Sequence, residues 1–399
     1  MRRYLVSRIR PGMILGQHLY TYLGGRRALL LGAGIEITTP ILKKLKELGY
    51  LSVYIREHGT EQIVPENLLS DETRDRAMSE ISRFYEQIRV SVSDLTKRYQ
   101  TPLYTLREEK IRITPPSPAP LKECVKEIVH DVFLFGKNSG YDTIIGIPHN
   151  NAVHNHVLNV AIISILLGGE YSFFGTELAE LGMGAILHDI GKAAVPELYT
   201  KQYWQLSVDE VDLYKKHPVL GDMLLNKSRS FSEIERQMIM QHHERQDGQG
   251  FPTRLKGENK PPLKEKFILP NTIFRFAEII AVADMYDNLV SGNYYNKWFS
   301  PEQALAEIGR EAGTGLNASI VDALSVLVTK YPVGSNVRVL MHPNEDIMGY
   351  YGVVAEADSR ESQKVRVVLV QDSYGSSIEP RSIDIDVSSE TDVDLQVVI

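Results

Sequence analysis

The chain has 399 residues, 43% hydrophobic and 24% charged, a balance that excludes a disordered protein and asks for two or three domains. Its 44 Lys and Arg against 51 Asp and Glu leave a net charge of -7, which argues against a coat for DNA or RNA polymers while allowing a local patch for a small anion. A single cysteine, Cys124, rules out an intrachain disulfide and fits a reducing cytoplasm.

The opening "MRRYLVSRIRPGM" is broken by Arg8, Arg10 and Pro11 before an apolar signal core can form. Residues 1 to about 56 mix short β-like runs, "ALLLGAGIEI" and "YLSVYI", with one amphipathic helix, "TPILKKLKELG", closed by Gly49. Residues 66 to 99 have helical spacing and a charged surface, so 1–110 reads as a small α+β regulatory or dimerisation domain with a helical connector. Residues 111–120, with "RITPPSPAP", form an extended proline-rich linker. Across 121–331 apolar residues recur at three and four, the pattern of an all-α bundle. Its run "VLNVAIISILLGG" falls short of the roughly 20 residues a spanning helix needs and reads as a buried helix, so no membrane is expected. Residues 332–399 change texture: "YYGVVAEAD", "KVRVVLVQD" and "DVDLQVVI" predict a small β unit. The fold class is mainly α.

Seven of the eleven histidines fall between 149 and 243, which makes the helical region the place to look for chemistry. "ELAELGMGAILHDIGK" predicts a helix that ends in His188 and Asp189, with Lys192 a turn later where an ammonium could meet a phosphate oxygen. His156 opens the buried helix, His217 precedes Pro218 at a helix start, His242 and His243 end "SEIERQMIMQ", and Asp284 lies in an apolar helix. Singly, each is a commonplace residue, and Asp284 could cap or pair with Arg275. His149 and His154 read as loop residues outside the ligand set. Together, five histidines and two aspartates suit two metal ions about 4 Å apart, which lower the pKa of a shared water and neutralise charge on a phosphate ester. Leaving so many imidazoles and carboxylates buried without a partner would be costly.

In chain order, "HVLNVA", "LGMGAILHDIGK", "HPVLG", "HHERQDGQGFP" and "FAEIIAVADMYDNL" resemble the HD-GYP branch of the HD metal-dependent phosphohydrolases, from about residue 125 to 330. The resemblance implies an HD-type all-α bundle that hydrolyses cyclic di-GMP to linear pGpG and/or GMP by a metal-bridging hydroxide, with iron or manganese. His156, His188, Asp189 and Asp284 would surround one ion and His217, His242 and His243 the other, with Asp189 bridging. Asp189 and Lys192 would carry catalysis, Lys192 touching the scissile phosphate. Substrate contacts are expected from Lys192, Asp287, Asn293, Asn296 and Phe251.

Four departures mark this chain. Phe251 replaces the tyrosine of the Gly-Tyr-Pro motif, and Ala152 stands where some members place a glutamate for a third metal, which favours two. Asn293 and Asn296 replace an arginine and a second basic residue, with Lys297 out of register as a substitute. The longer stretch "NKPPLKEKFILPN" is expected as a flap or subunit contact. Losing a charge-assisted contact removes about 1.5–3 kcal/mol, so the competing readings are a catalytically weak cyclic-dinucleotide receptor or scaffold, or a phosphohydrolase for another nucleotide. A homodimer and signalling partner proteins complete the expectation.

Overall fold

The computed structural model describes residues 1–23, 26–50, 52–64, 68–106, 111–135, 152–262, 270–292, 297–357, 364–387 and 393–398. His149, Asn293 and Asn296, and residues 263–269 of the long stretch, lie outside them.

Two small antiparallel pairs open the chain: β1 (Arg2–Leu5) with β4 (Ser52–Ile55), and β2 (Leu19–Leu23) with β3 (Arg26–Leu31). Helix α1 (Thr39–Glu47) packs its buried Leu45 with Leu15, Ile37 and Val53 into a core of its own. Gly49, at φ 74°, follows the helix end as the sequence indicates.

Helix α2 (Asp71–Tyr99) starts where Ser70 accepts from the Thr73 amide. The Ser70 amide and hydroxyl both donate to Asp131 Oδ2 on α3 (Ala119–Phe135), at 2.9 and 2.8 Å, so the cap also ties two helices together. The inner face of α2, with Met78, Ile81, Tyr85 and Ile88, belongs to the hydrophobic core of the helical region. So do Ile111 and Ile113 of the proline-rich segment.

That core is centred on α4 (Ala152–Glu170), whose residues 157–167 are apolar on every side apart from Asn159 and Ser164 and are buried throughout. Around it stand α5 (Thr176–Leu187), α8 (His217–Leu225), α9 (Glu233–Gln241), α10 (Arg275–Ser291), α11 (Pro301–Glu311) and α12 (Ala318–Leu327). The short helices α6 (Pro196–Thr200) and α7 (Val208–Tyr214) lie between α5 and α8. Capping boxes at Ser207, Ser232 and Ser300 start α7, α9 and α11, and Gly292, at φ 72°, ends α10. Among the described residues no helix is long and apolar enough to cross a membrane.

The carboxy-terminal region is one antiparallel sheet in the order β8-β7-β6-β5-β9, from β5 (Asn336–Met341), β6 (Tyr351–Ala357), β7 (Lys364–Gln371), β8 (Ser377–Asp386) and β9 (Asp394–Val397). Val337, Val339, Val367 and Leu369 form its separate core. A mainly α protein with small sheets at either end is the architecture expected from the sequence.

Candidate metal centre

Every candidate ligand except Asp284, which lies mid-helix, sits at a helix end or one turn inside one. Helix α4 brings His156, the end of α5 brings His188 and Asp189, the start of α8 brings His217, the end of α9 brings His242 and His243, and α10 brings Asp284. All are buried except His243, which is partly exposed.

Their ligand atoms fall into overlapping groups, each within 4.8 Å: His156, His188 and Asp284; His217, His242 and His243; and His188, Asp189 and His242. Asp189 stands between the first two. Its Oδ1 is 3.3 Å from His217 Nε2, and its Oδ2 is 3.7 and 3.6 Å from the Nε2 atoms of His156 and His188.

The imidazoles are held from behind. Nδ1–H donates to the carbonyl three residues back in His188 (Ala185, 2.6 Å), His217 (Tyr214, 2.6 Å) and His242 (Ile239, 2.8 Å). A carbonyl can only accept, so each Nδ1 carries the hydrogen and each Nε2 turns a lone pair inward. His217 and His242 therefore face each other lone pair to lone pair at 3.1 Å. Burial holds both histidines well below their usual range, so a proton does not resolve the contact. The buried Nε2 of His188 has no hydrogen-bond partner, while that of His156 lies 3.0 Å from Asp284 Oδ1. Such a set, imidazole nitrogens with carboxylate oxygens, fits divalent transition-metal ions.

The electrostatics agree. Burial alone would raise the Asp189 carboxyl, but Lys192 and then His188 and His217 hold it well below the carboxylate range. Lys192 Nζ lies 2.5 Å from Asp189 Oδ2. Burial, then His217, pushes His243 down to about 3. His156 is the exception: burial lowers it, yet hydrogen bonds to Asp284 and Asp287 win and raise it to about 10.

Asp287, expected among the substrate contacts, is buried behind His156 instead. Its Oδ2 is 2.7 Å from His156 Nδ1, and its Oδ1 accepts from Asn159 Nδ2 at 2.8 Å. Asp284 is steadied by Asn288 Nδ2 at 2.8 Å, while Arg275 pairs with Glu258 at 2.9 Å, so the alternative Asp284–Arg275 pair does not form. His154, expected in a loop, stands on α4, which begins two residues before it. It is buried, 2.7 Å from the Tyr199 hydroxyl, outside the ligand groups. Lys297 is exposed, with Nζ 4.7 Å from the Phe299 ring centre.

Residues 244–257 form the lip. Phe251 stacks on His243 at 4.6 Å between ring centres, and Tyr214 places its hydroxyl 3.2 Å from His243 Nε2. Buried Glu244 accepts from the Thr253 amide and hydroxyl and the Leu255 amide, at 2.7, 2.6 and 2.9 Å. A Cβ on Gly250 would lie 2.5 Å from the Arg245 amide nitrogen, so only glycine lets the lip fold back so closely.

Sequence reasoning did not single out Asn159, Asn288, Glu244 or Tyr214. A signal existed for two. Asn159 and Asn288 follow His156 and Asp284 by three and four residues, which puts them on the ligands' own helix faces.

Residues 174–320 match the HD domain family. The chain is 35% identical over 149 residues to the cyclic di-GMP phosphodiesterase response regulator RpfG of Xanthomonas campestris pv. campestris, covering 37% of this chain and 36% of that one. It is 29% identical over 212 residues to the cyclic di-GMP phosphodiesterase PA4108 of Pseudomonas aeruginosa, covering 53% and 46%. It is 28% identical over 170 residues to the 3'3'-cGAMP-specific phosphodiesterase 2 of Vibrio cholerae serotype O1, covering 42% and 30%. The chain thus spans less than half the length of these relatives.

Proposed function

We propose that the chain is a member of the HD domain family, in its HD-GYP branch, and that it is a two-metal phosphodiesterase opening cyclic di-GMP to linear pGpG and/or GMP. The observation that carries the reading is the inward turn of the Nε2 atoms toward one shared carboxylate, Asp189. His156, His188 and Asp284 would hold one ion and His217, His242 and His243 the second, with Asp189 between them, and iron or manganese suits this nitrogen-rich set. When bound, the ions supply positive charge for the phosphoryl oxygens and a water acidic enough to attack at neutral pH.

The protein's own groups do the rest. Lys192 keeps an ammonium at the rim, where it can pass from Asp189 to a phosphoryl oxygen as negative charge builds. Phe251, stacked on His243, offers a ring edge to a base without the hydroxyl of a tyrosine. Asp287 positions His156, and the amides of Asn293 and Asn296 would replace charge-assisted contacts with neutral ones. Relatives named as a cyclic di-GMP phosphodiesterase and as a 3'3'-cGAMP-specific phosphodiesterase make the second base the open choice. The reading also takes the protein as cytoplasmic, homodimeric and serving signalling partner proteins, testable by fractionation, light scattering and co-purification.

The test loads the purified chain with iron or manganese, supplies cyclic di-GMP and 3'3'-cGAMP separately, and resolves products by chromatography. Linearisation of cyclic di-GMP that disappears in His188→Ala is expected. Tight nucleotide binding without turnover by the loaded protein would make it a receptor and end the proposal.

A further inference from the structure

Away from the metal centre, a second charged group lies where the three regions of the chain meet. Arg3 on β1 directs its guanidinium over the ring of Trp298, 5.3 Å from the ring centre, and Trp298 lies on the segment from α10 to α11. The Arg3 amide donates to the Gly334 carbonyl at 2.9 Å and its carbonyl accepts from Asn336 Nδ2 at 2.8 Å, so β1 is fastened to the start of β5. A cavity of about 30 Å³ opens there, lined by Leu5, Ser335, Asn336, Val397 and Val398 together with Arg3 and Trp298.

The charges there do not balance. Arg2, next in the chain, pairs with Glu57 at 3.0 Å. Arg3 donates through Nε to Ser52 Oγ at 2.9 Å, and among the described residues no carboxylate pairs with it. Burial pulls its pKa down, offset only by Tyr54 and Tyr286. The indole Nε1 of Trp298 is buried and has no hydrogen-bond partner. A partly desolvated guanidinium and an unused N–H beside one cavity form an incomplete set of donors, and the partner that completes it is an anion. The space holds about two waters, or two oxygens of a carboxylate or phosphate group.

We propose that this cavity is an oxyanion-binding site, in which the Arg3 guanidinium and the Trp298 indole N–H hold the carboxylate or phosphate of a small solute. The site is independent of the metal ions. It joins β1, the carboxy-terminal sheet and the segment that leaves α10, the helix carrying Asp284 and Asp287, so its occupant stiffens that junction.

The chain has two tryptophans, so Trp204→Phe leaves Trp298 as the sole indole reporter. The metal-loaded protein with this change is titrated with acetate and, separately, with inorganic phosphate, at ionic strength held constant with potassium chloride. A saturable change in Trp298 fluorescence is expected, weakened roughly tenfold or more by Arg3→Gln and less by Arg3→Lys. Response to acetate alone assigns a carboxylate ligand, and response to phosphate alone a phosphoryl ligand. No saturable response to either anion, or one undiminished by Arg3→Gln, overturns the site. Because Arg3→Gln also loosens β1, Trp298→Phe provides a second arm: it keeps the ring, loses the N–H, and should lose most of the rise in melting temperature that the effective anion produces. A full rise in that variant equally overturns the proposal.

Discussion

Asp287 touches no candidate ion, yet the orientation of His156 depends on it. With Nδ1 fixed at 2.7 Å by that carboxylate, His156 turns Nε2 to within 3.0 Å of Asp284 Oδ1. Outer carboxylates of this kind typically tune metal affinity 10- to 100-fold, so Asp287→Ala should lower affinity by about that factor while His188→Ala removes a ligand outright. Competition against a chromogenic chelator reads the difference, and wild-type affinity in Asp287→Ala would show that His156 is held some other way. The same residues set a pH dependence. Raised to about 10, His156 is protonated at neutral pH between Asp284 and Asp287 in chelator-treated protein, and this favours the fold below its ordinary value of 6.5 and is lost as pH climbs toward 10. His243, pushed down to about 3, works oppositely: the unfolded chain takes up a proton below 6.5 that the fold refuses, so stability declines as pH falls from there toward 3. An ion must displace the His156 proton, so metal loading near pH 7.5 should release about one proton, and affinity should rise with pH. Calorimetry in buffers of different ionisation enthalpy counts that proton, and a count of zero contradicts the raised His156.

At the scale of elements, the centre depends on how closely two of them approach. After α5 the chain tightens into a 3-10 turn over Ile190–Ala194, and Gly191 in that turn sits against the start of α8. A Cβ there would lie 1.8 Å from the His217 carbonyl oxygen and 2.6 Å from the Gly221 amide nitrogen. Both obstacles are backbone, so neither can swing aside as a side chain would. Gly191→Ala must push α8 outward and carry His217 away from Asp189. The cost should exceed the 1–3 kcal/mol usual for an overpacked core, about 3 kcal/mol or more. Chemical denaturation measures it, and metal content should fall in the same variant. Near-native stability with both ions retained would mean that the approach of α8 is looser than these distances require.

Over the whole molecule, legibility followed the reach of each interaction. The seven candidate positions could be picked out because each lies in a locally patterned segment, the histidines and Asp189 at or near the ends of periodic helices and Asp284 within one. The role of Asp287 could not, since it depends on α10 lying against α4, a contact between residues 131 apart. The charge on the outer face of α2 suggested a connector, whereas its inner face contributes Ile81, Tyr85 and Ile88 to the bundle core. The Tyr85 hydroxyl donates to the Ile186 carbonyl at 2.8 Å, two residues before His188. Periodicity shows that a face is apolar but not which neighbour covers it. The sheet, by contrast, was legible as a unit because β5 to β8 each pair with the next strand in sequence, only β9 returning to β5, and Val337, Val339, Val354, Val367, Leu369 and Leu395 give it a core apart from the bundle. Separate cores should uncouple on metal removal. Without ions to neutralise it, the convergence of buried imidazoles and carboxylates destabilises only the helices that carry it, so a chelator should raise amide hydrogen exchange in α4, α5, α8, α9 and α10 while β5–β9 keep their protection. Exchange rising equally in the sheet would show that bundle and sheet unfold as one unit, and that the junction at Arg3 and Asn336 transmits the loss.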